Sequence, residues 1–286
     1  MLTDLVEVTT QDGVLLGGAY FAPSVESRPS PVEAVCFFHG DGGHFYRKLY
    51  LELGARLAAN GIAFLAANRR GHDIVSNGAP DGPLGGYAHE SVNDARLDYA
   101  AWLDLLRERG HTNIIIGGHS GGAVRAVYAQ STERYPSVAG VIAVSPGEYD
   151  HQNLFDLHPG EFADAYSWCV ERVESESGDP DAYIRPGMPW GSTWIARAFI
   201  DCFNPDNRYS VTRRAAELDC PALFVFGEEE CGDGPRKLPV CGAAMRSLRA
   251  ADYERVAVRV IDGADHGYRE RDAQLFAAIL GWLSDL

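Results

Sequence analysis

The chain has 286 residues, 46% hydrophobic and 23% charged, enough apolar material for one large α/β core or two small ones. Its net charge of −15, with no lysine- or arginine-rich block, argues against nucleic acid or an anionic membrane as a partner, since both demand a basic face. No run reaches the roughly 18 apolar residues of a membrane span. Residues 1–7 carry neither the basic nor the apolar region of a secretory signal. Six cysteines (Cys36, Cys169, Cys202, Cys220, Cys231 and Cys241) lack metal-ligand spacing. Cys231 and Cys241 are the pair that could bridge across a loop, but reduced thiols in a cytoplasmic protein are the expected state.

In chain order, residues 5–10 and 14–21 read as strands joined through Gln11-Asp12-Gly13, whose Asp-Gly signals a hairpin. A polar loop at 23–31 leads to a short apolar run at 34–38, of the kind buried on both faces of a sheet. Leu49, Leu53 and Leu57 at four-residue steps predict a helix over 46–60, stopped by Gly61, and 62–67 is the next strand. Val92, Ala95, Tyr99, Trp102 and Leu106 predict an amphipathic helix over 92–109, ended by Gly110. The apolar run Ile114-Ile115-Ile116 precedes a helical segment from Ala123, and 138–144 is another strand. Strands at 221–226 and 256–261, a helix around 236–251 and a last helix with Phe276, Ile279 and Leu283 complete the series. This alternation predicts an α/β fold: a mostly parallel central sheet with helices on both faces and the initial hairpin at one edge.

Residues 147–210 break the rhythm. A stretch this long without a sheet-like run predicts a helical cap or lid inserted into a single domain spanning 1–286. Within it, 161–176 is helical in character and 178–189 is proline-rich and irregular. Its aromatics, Tyr149, Tyr166, Trp168, Tyr183, Trp190 and Trp194, either pack that cap or line an acyl or alcohol pocket.

The chemistry concentrates at Gly118-His119-Ser120-Gly121-Gly122, between a strand and a helix. A serine at the tip of so sharp a turn takes strained backbone angles, and its neighbours two residues away must be small. After the strand at 34–38 comes His39-Gly40-Asp41-Gly42-Gly43, rich in backbone amides. Acyl transfer needs two amides aimed at the developing oxyanion; Gly121 offers one, and Asp41 or Gly42 the other. His266 follows the last strand in Gly263-Ala264-Asp265-His266-Gly267, where an imidazole can swing against a serine hydroxyl. His39 is the competing base, better suited to shaping the amide-rich turn. The acid that orients His266 is sought in Glu228-Glu229-Glu230 after Gly227; Glu230 is preferred, with Glu229 and Asp233 behind it and Glu148 as a further rival. At least two of the three glutamates are expected to be a solvated loop.

These features together resemble the α/β-hydrolase superfamily, from about residue 5 to the end apart from the insertion. Asn68-Arg69-Arg70-Gly71-His72 and the helix ending Leu105-Leu106-Arg107-Glu108-Arg109-Gly110 resemble segments common there, and the order serine, acid, histidine (120, 230, 266) is the superfamily's own. The resemblance implies a carboxylic ester hydrolase acting on a small, moderately hydrophobic substrate without cofactor or metal. Thioester, amide or carbon–carbon bond hydrolysis, or ligand binding with little turnover, are the alternatives; serine at the elbow excludes the dehalogenase and epoxide-hydrolase branches. Two departures stand out. The acid is glutamate where aspartate is more usual, and Asp41 puts a carboxylate beside the oxyanion turn, where it is expected to point to solvent or bond its own loop.

Overall fold

Asp-Gly turns the chain back on itself at the start, joining β1 (Asp4–Thr9) to β2 (Leu15–Phe21) as an antiparallel hairpin. From there, in a computed structural model describing residues 3–25, 30–77, 82–184 and 193–286, strand and helix alternate. In turn come β3 (Ala34–Phe38), α1 (Lys48–Ala59), β4 (Ala63–Ala67), the two-residue strands β5 (Ser76–Asn77) and β6 (Leu84–Gly85), and α2 (Ala95–Glu108). Then follow β7 (Ile114–His119), α3 (Gly121–Glu133) and β8 (Val138–Val144). After α4 (His151–Leu157), α5 (Glu161–Glu174), α6 (Ala196–Cys202) and α7 (Val211–Ala216), the chain ends with β9 (Ala222–Gly227), α8 (Glu228–Cys231), α9 (Pro239–Ala251), β10 (Val256–Ile261) and α10 (Asp272–Ser284).

The main sheet runs β1-β2-β4-β3-β7-β8-β9-β10. Only the β1–β2 and β2–β4 pairs are antiparallel, so the hairpin occupies one edge as expected. The period of two divides side chains between two cores: Ile114 and Ile116 face one, Ile115 the other. The first core takes Trp102 and Leu106 from α2, Val124 and Val127 from α3 and Leu248 from α9; the second takes Tyr50, Leu53 and Leu57 from α1 and Leu275, Ile279 and Leu283 from α10. β3, β4 and β7 are buried along their whole length, the mark of strands covered on both faces.

Some boundaries differ from expectation for local reasons. The helix after Ser120 starts at Gly121 rather than Ala123, because the elbow turns straight into it. A 3-10 turn at Val92–Asp94, with Ser91 accepting from the Asn93 amide, precedes α2. Within 147–210, α4 and α6 are two turns each, too short for a readable period, and an isolated antiparallel bridge pairs Tyr183 with Ile195. Part of the irregular 178–189 stretch, and Trp190, lie outside the described residues. The parallel strands β3, β7, β8, β9 and β10 all deliver their C-terminal ends to the same edge, where open α/β sheets hold their ligands.

Candidate active site

Ser120 sits between the last residue of β7 and the first of α3 with φ 55° and ψ −126°, a conformation costing on the order of 1–3 kcal/mol. Its amide donates to the Val144 carbonyl at 2.8 Å, which ties the elbow to β8. A Cβ on Gly118 would lie 2.4 Å from the Gly122 carbonyl, and one on Gly122 2.4 Å from the His39 carbonyl oxygen. Both contacts are with backbone, so neither site accepts a larger residue without moving the turn.

Glu230 is fully buried, in the single helical turn α8 directly after β9. The glutamate run, expected as loop, is instead helical; Glu228 is exposed, Glu229 half-buried and Glu230 interior. His266 Nδ1 lies 2.6 Å from Glu230 Oε2, joining α8 to the loop after β10, 36 residues on. The other oxygen, Oε1, accepts from the Gly227 amide at 2.7 Å and the Ser145 hydroxyl at 2.6 Å. Ser145 is itself 2.9 Å from the Tyr268 hydroxyl, which burial and Glu230 hold well above the ordinary phenol range, so it stays protonated. None of the rival acids hydrogen-bonds His266 among the described residues. Glu229 pairs with Arg236, Asp233 is exposed, and Glu148 accepts from the Val211 and Thr212 amides at the start of α7. No hydrogen bond joins the Ser120 hydroxyl to His266 among the described residues, though both side chains line one cavity.

A second histidine, overlooked in the sequence, underlies the first. His119 Nε2 lies 2.7 Å from the His266 carbonyl oxygen and Nδ1 3.1 Å from the Tyr50 hydroxyl, which accepts from the Gly40 amide at 3.2 Å. Since a carbonyl only accepts, the proton is on Nε2, and Tyr50 donates to Nδ1. Burial, then the neighbouring His266, bring His119 down to about 3, so the ring is neutral. This relay holds the His266 loop, the amide-rich turn and the elbow in fixed relation.

In the turn after β3, Gly43 donates to the Gly40 carbonyl at 3.0 Å and His39 is wholly buried, with Nδ1 2.8 Å from the Gly40 oxygen. The Asp41 side chain departs from expectation: it neither faces bulk solvent nor bonds its own loop. Its Oδ1 is 2.7 Å from Arg69 and 3.6 Å from Arg125, and Oδ2 is 3.4 Å from the Tyr149 hydroxyl. Arg69 and Arg125, both buried, also converge on buried Glu90, and Arg125 donates to the Gly121 carbonyl at 2.9 Å. Burial, then Arg125, pull Arg69 down to about 10, still protonated at neutral pH. Two cations thus meet two carboxylates directly behind the backbone of residues 41 and 121. Asp41's charge is balanced at its source, so its opposition to a nearby oxyanion is largely cancelled.

The cavity has a volume of about 270 Å³, near the lower end for ligand sites. Its lining combines Gly40, Asp41, Ser120, Gly121 and His266 with the apolar Tyr149, Trp194, Phe203, Leu238 and Val240. Of the aromatics singled out in the sequence, Tyr149 and Trp194 therefore face the cavity. Tyr166 and Trp168 pack against the core, and Tyr183 meets His89. Among the described residues, Glu230, Cys241 and His266 bring ligand atoms within 4.8 Å of one another. Burial and Glu230 hold the Cys241 thiol well above its ordinary value, which disfavours the thiolate a metal would need.

The sheet order, the strained serine elbow and the strand-end loops define an α/β-hydrolase. Residues 29–185 match the family described as serine aminopeptidase, S33, and the chain belongs to that family of hydrolases. No curated protein sequence matches it. Among solved structures it is similar to Est1E from Butyrivibrio proteoclasticus, at 16% identity and TM-score 0.65 over 98% of both chains. It is also similar to the α/β-hydrolase GrgF from Penicillium sp. sh18, at 15% identity and TM-score 0.71 over 99% of this chain and 98% of that one. A soluble variant of monoglyceride lipase from Saccharomyces cerevisiae, solved with a substrate analogue, shares 16% identity and TM-score 0.67 over 100% of this chain and 95% of that one. At such identities the likeness is one of fold. No helix among the described residues is long and apolar enough to cross a membrane.

Proposed function

We propose that this hydrolase cleaves carboxylic esters of small to medium, moderately hydrophobic substrates through an acyl-enzyme on Ser120. The observation that carries the reading is the 2.6 Å pairing of His266 with buried Glu230 at the wall of the cavity that Ser120 also lines. Ser120 Oγ attacks the ester carbonyl while His266 Nε2 takes its proton, and Glu230 holds Nδ1–H and balances the imidazolium. The oxyanion rests on the amides of Asp41 and Gly121. His266 then returns the proton to the departing alkoxide, and water, deprotonated by the same imidazole, frees the acid. The serine–histidine hydrogen bond closes when substrate enters, as is common for hydrolases whose free sites are slack.

Residues 147–210 act as a cap on a single domain, contributing Tyr149, Trp194 and Phe203 to the apolar wall. The named relatives include a lipase solved with a substrate analogue, and another structure of Est1E carries ferulic acid, which suits ester chemistry. Six free cysteines suit a cytoplasmic setting. Cleavage at a peptide N-terminus, which the family description names, fits the charges less well. Recognising an ammonium needs an unpaired carboxylate, whereas Asp41 is matched by Arg69.

Intact mass after exposure to a fluorophosphonate tests the proposal. A single adduct that disappears in Ser120→Ala is expected, together with turnover of short-chain esters. Folded wild-type protein that takes no adduct and turns over no ester would overturn it.

A further inference from the structure

The cavity carries one charge that the proposed chemistry does not use. Arg47, immediately before α1, lines it together with Ser120, Gly121 and His266. Its side chain is exposed and, among the described residues, makes no ion pair or hydrogen bond. The other cations nearby are already matched: Arg69 and Arg125 sit on Asp41 and Glu90. Glu230 does not line the cavity; it is fully buried behind His266 and is used by that ring. His119 is neutral. Once these pairs are struck out, the wall retains, among the described residues, one positive charge at Arg47, in a cavity whose apolar lining includes Tyr149, Trp194, Phe203, Leu238 and Val240.

A guanidinium is a planar fork of donors matched to a carboxylate, and it gains most where water is partly excluded. One cation at the rim suits one anionic charge. A phosphate dianion would need more positive charge than the wall supplies. We propose that the cavity selects esters carrying a single carboxylate away from the scissile bond, with Arg47 holding the carboxylate and the aromatic wall the methylenes between. This rests on the ester reading and adds the substrate class to it. It also gives a reason for the paired state of Asp41: an unmatched carboxylate there would repel the same substrate.

Binding and turnover are measured separately so that the two readings can fail independently. In the Ser120→Ala protein, calorimetry compares ethyl hydrogen glutarate and 4-acetoxybutanoate, whose charge lies on the acyl and the alcohol side respectively, with neutral ethyl pentanoate. At least one carboxylate ester binds about 10-fold tighter than the neutral one, as expected for a charge-assisted hydrogen bond at a part-solvated site. In Arg47→Gln/Ser120→Ala that preference falls to about twofold or less, and Arg47→Lys restores part of it. In the wild type the ratio of kcat/KM, carboxylate ester over neutral, follows the same order, and rising salt lowers it. Equal binding of all three esters to the Ser120→Ala protein, or a preference that survives Arg47→Gln, overturns the proposal. A preference in binding with no turnover of any ester leaves the Arg47 site standing and removes the ester hydrolase reading instead.

Discussion

Replacing Glu230 by glutamine changes one atom's chemistry at nearly constant volume, which makes it the sharpest test of how His266 is held. The carboxylate accepts from His266 Nδ1 at 2.6 Å, from the Gly227 amide at 2.7 Å and from the Ser145 hydroxyl at 2.6 Å, with no exposure to solvent. An amide has one oxygen. If that oxygen stays with Gly227 and Ser145, the NH2 faces Nδ1, which must then be the acceptor. The ring proton moves to Nε2, and the imidazole can no longer take a proton from Ser120. If the amide turns over, two donors confront each other at Gly227. The expected result is a fall in kcat of about 10⁴, the scale seen when a triad acid is lost to the wrong tautomer, or about 5 kcal/mol in activation free energy. KM should change by no more than about threefold, because Glu230 does not touch the cavity. Fold stability should drop by about 1–3 kcal/mol for the mismatched buried donor. Steady-state kinetics on a short-chain ester, beside a thermal melt of each variant, reads all three quantities. Glu229→Gln, whose carboxylate meets Arg236, is the control and should stay within about twofold of wild type. A folded Glu230→Gln protein within tenfold of wild-type kcat, or equal damage from Glu229→Gln, would refute the reasoning.

Two further outcomes concern the fold around the site. Glu90→Gln leaves buried Arg69 and Arg125 short of a counter-charge and should destabilise by about 3–5 kcal/mol in chemical unfolding; loss of the exposed Arg107–Asp104 pair through Asp104→Ala should cost under about 1 kcal/mol. Comparable costs for the two would contradict the buried network. His119 titrates near 3 in the fold against 6.5 for a free ring, so its contribution is complete above 6.5 and is lost as pH falls toward 3, where the unfolded chain binds the proton more readily. Between pH 7 and 5 this amounts to about 2 kcal/mol. His119→Gln should therefore lose about that much less stability over the same interval, buried His39 acting equally in both proteins. Urea unfolding at the two pH values measures it, and identical pH sensitivity would count against a neutral buried ring.

Much of the site is legible in the chain because the constraints involved are short. A serine forced to φ 55° needs glycine two residues away on either side, and that requirement is written in five consecutive letters. An apolar run followed by Gly227 and an acid, or by Gly263 and a histidine, marks the end of a strand, and a parallel sheet sends all such ends to one edge. The hairpin and the sheet helices follow in the same way from turn chemistry and from periods of two and 3.6. The paired charges are different. Arg69, Glu90 and Arg125 are 21 and 35 residues apart, in positions where charged side chains ordinarily face water. Asp41 joins them only because β3 lies beside β7, which brings the turn after one against the helix after the other. Ser145, Tyr268 and His119 support the Glu230–His266 pair for the same reason: each acts across strands, through contacts set by sheet order. Local sterics and periodicity decide which backbone forms, over a handful of residues. Which buried charge finds a partner is decided only once distant strands are side by side, because the free energy of a buried charge depends on what faces it and not on its neighbours in the chain.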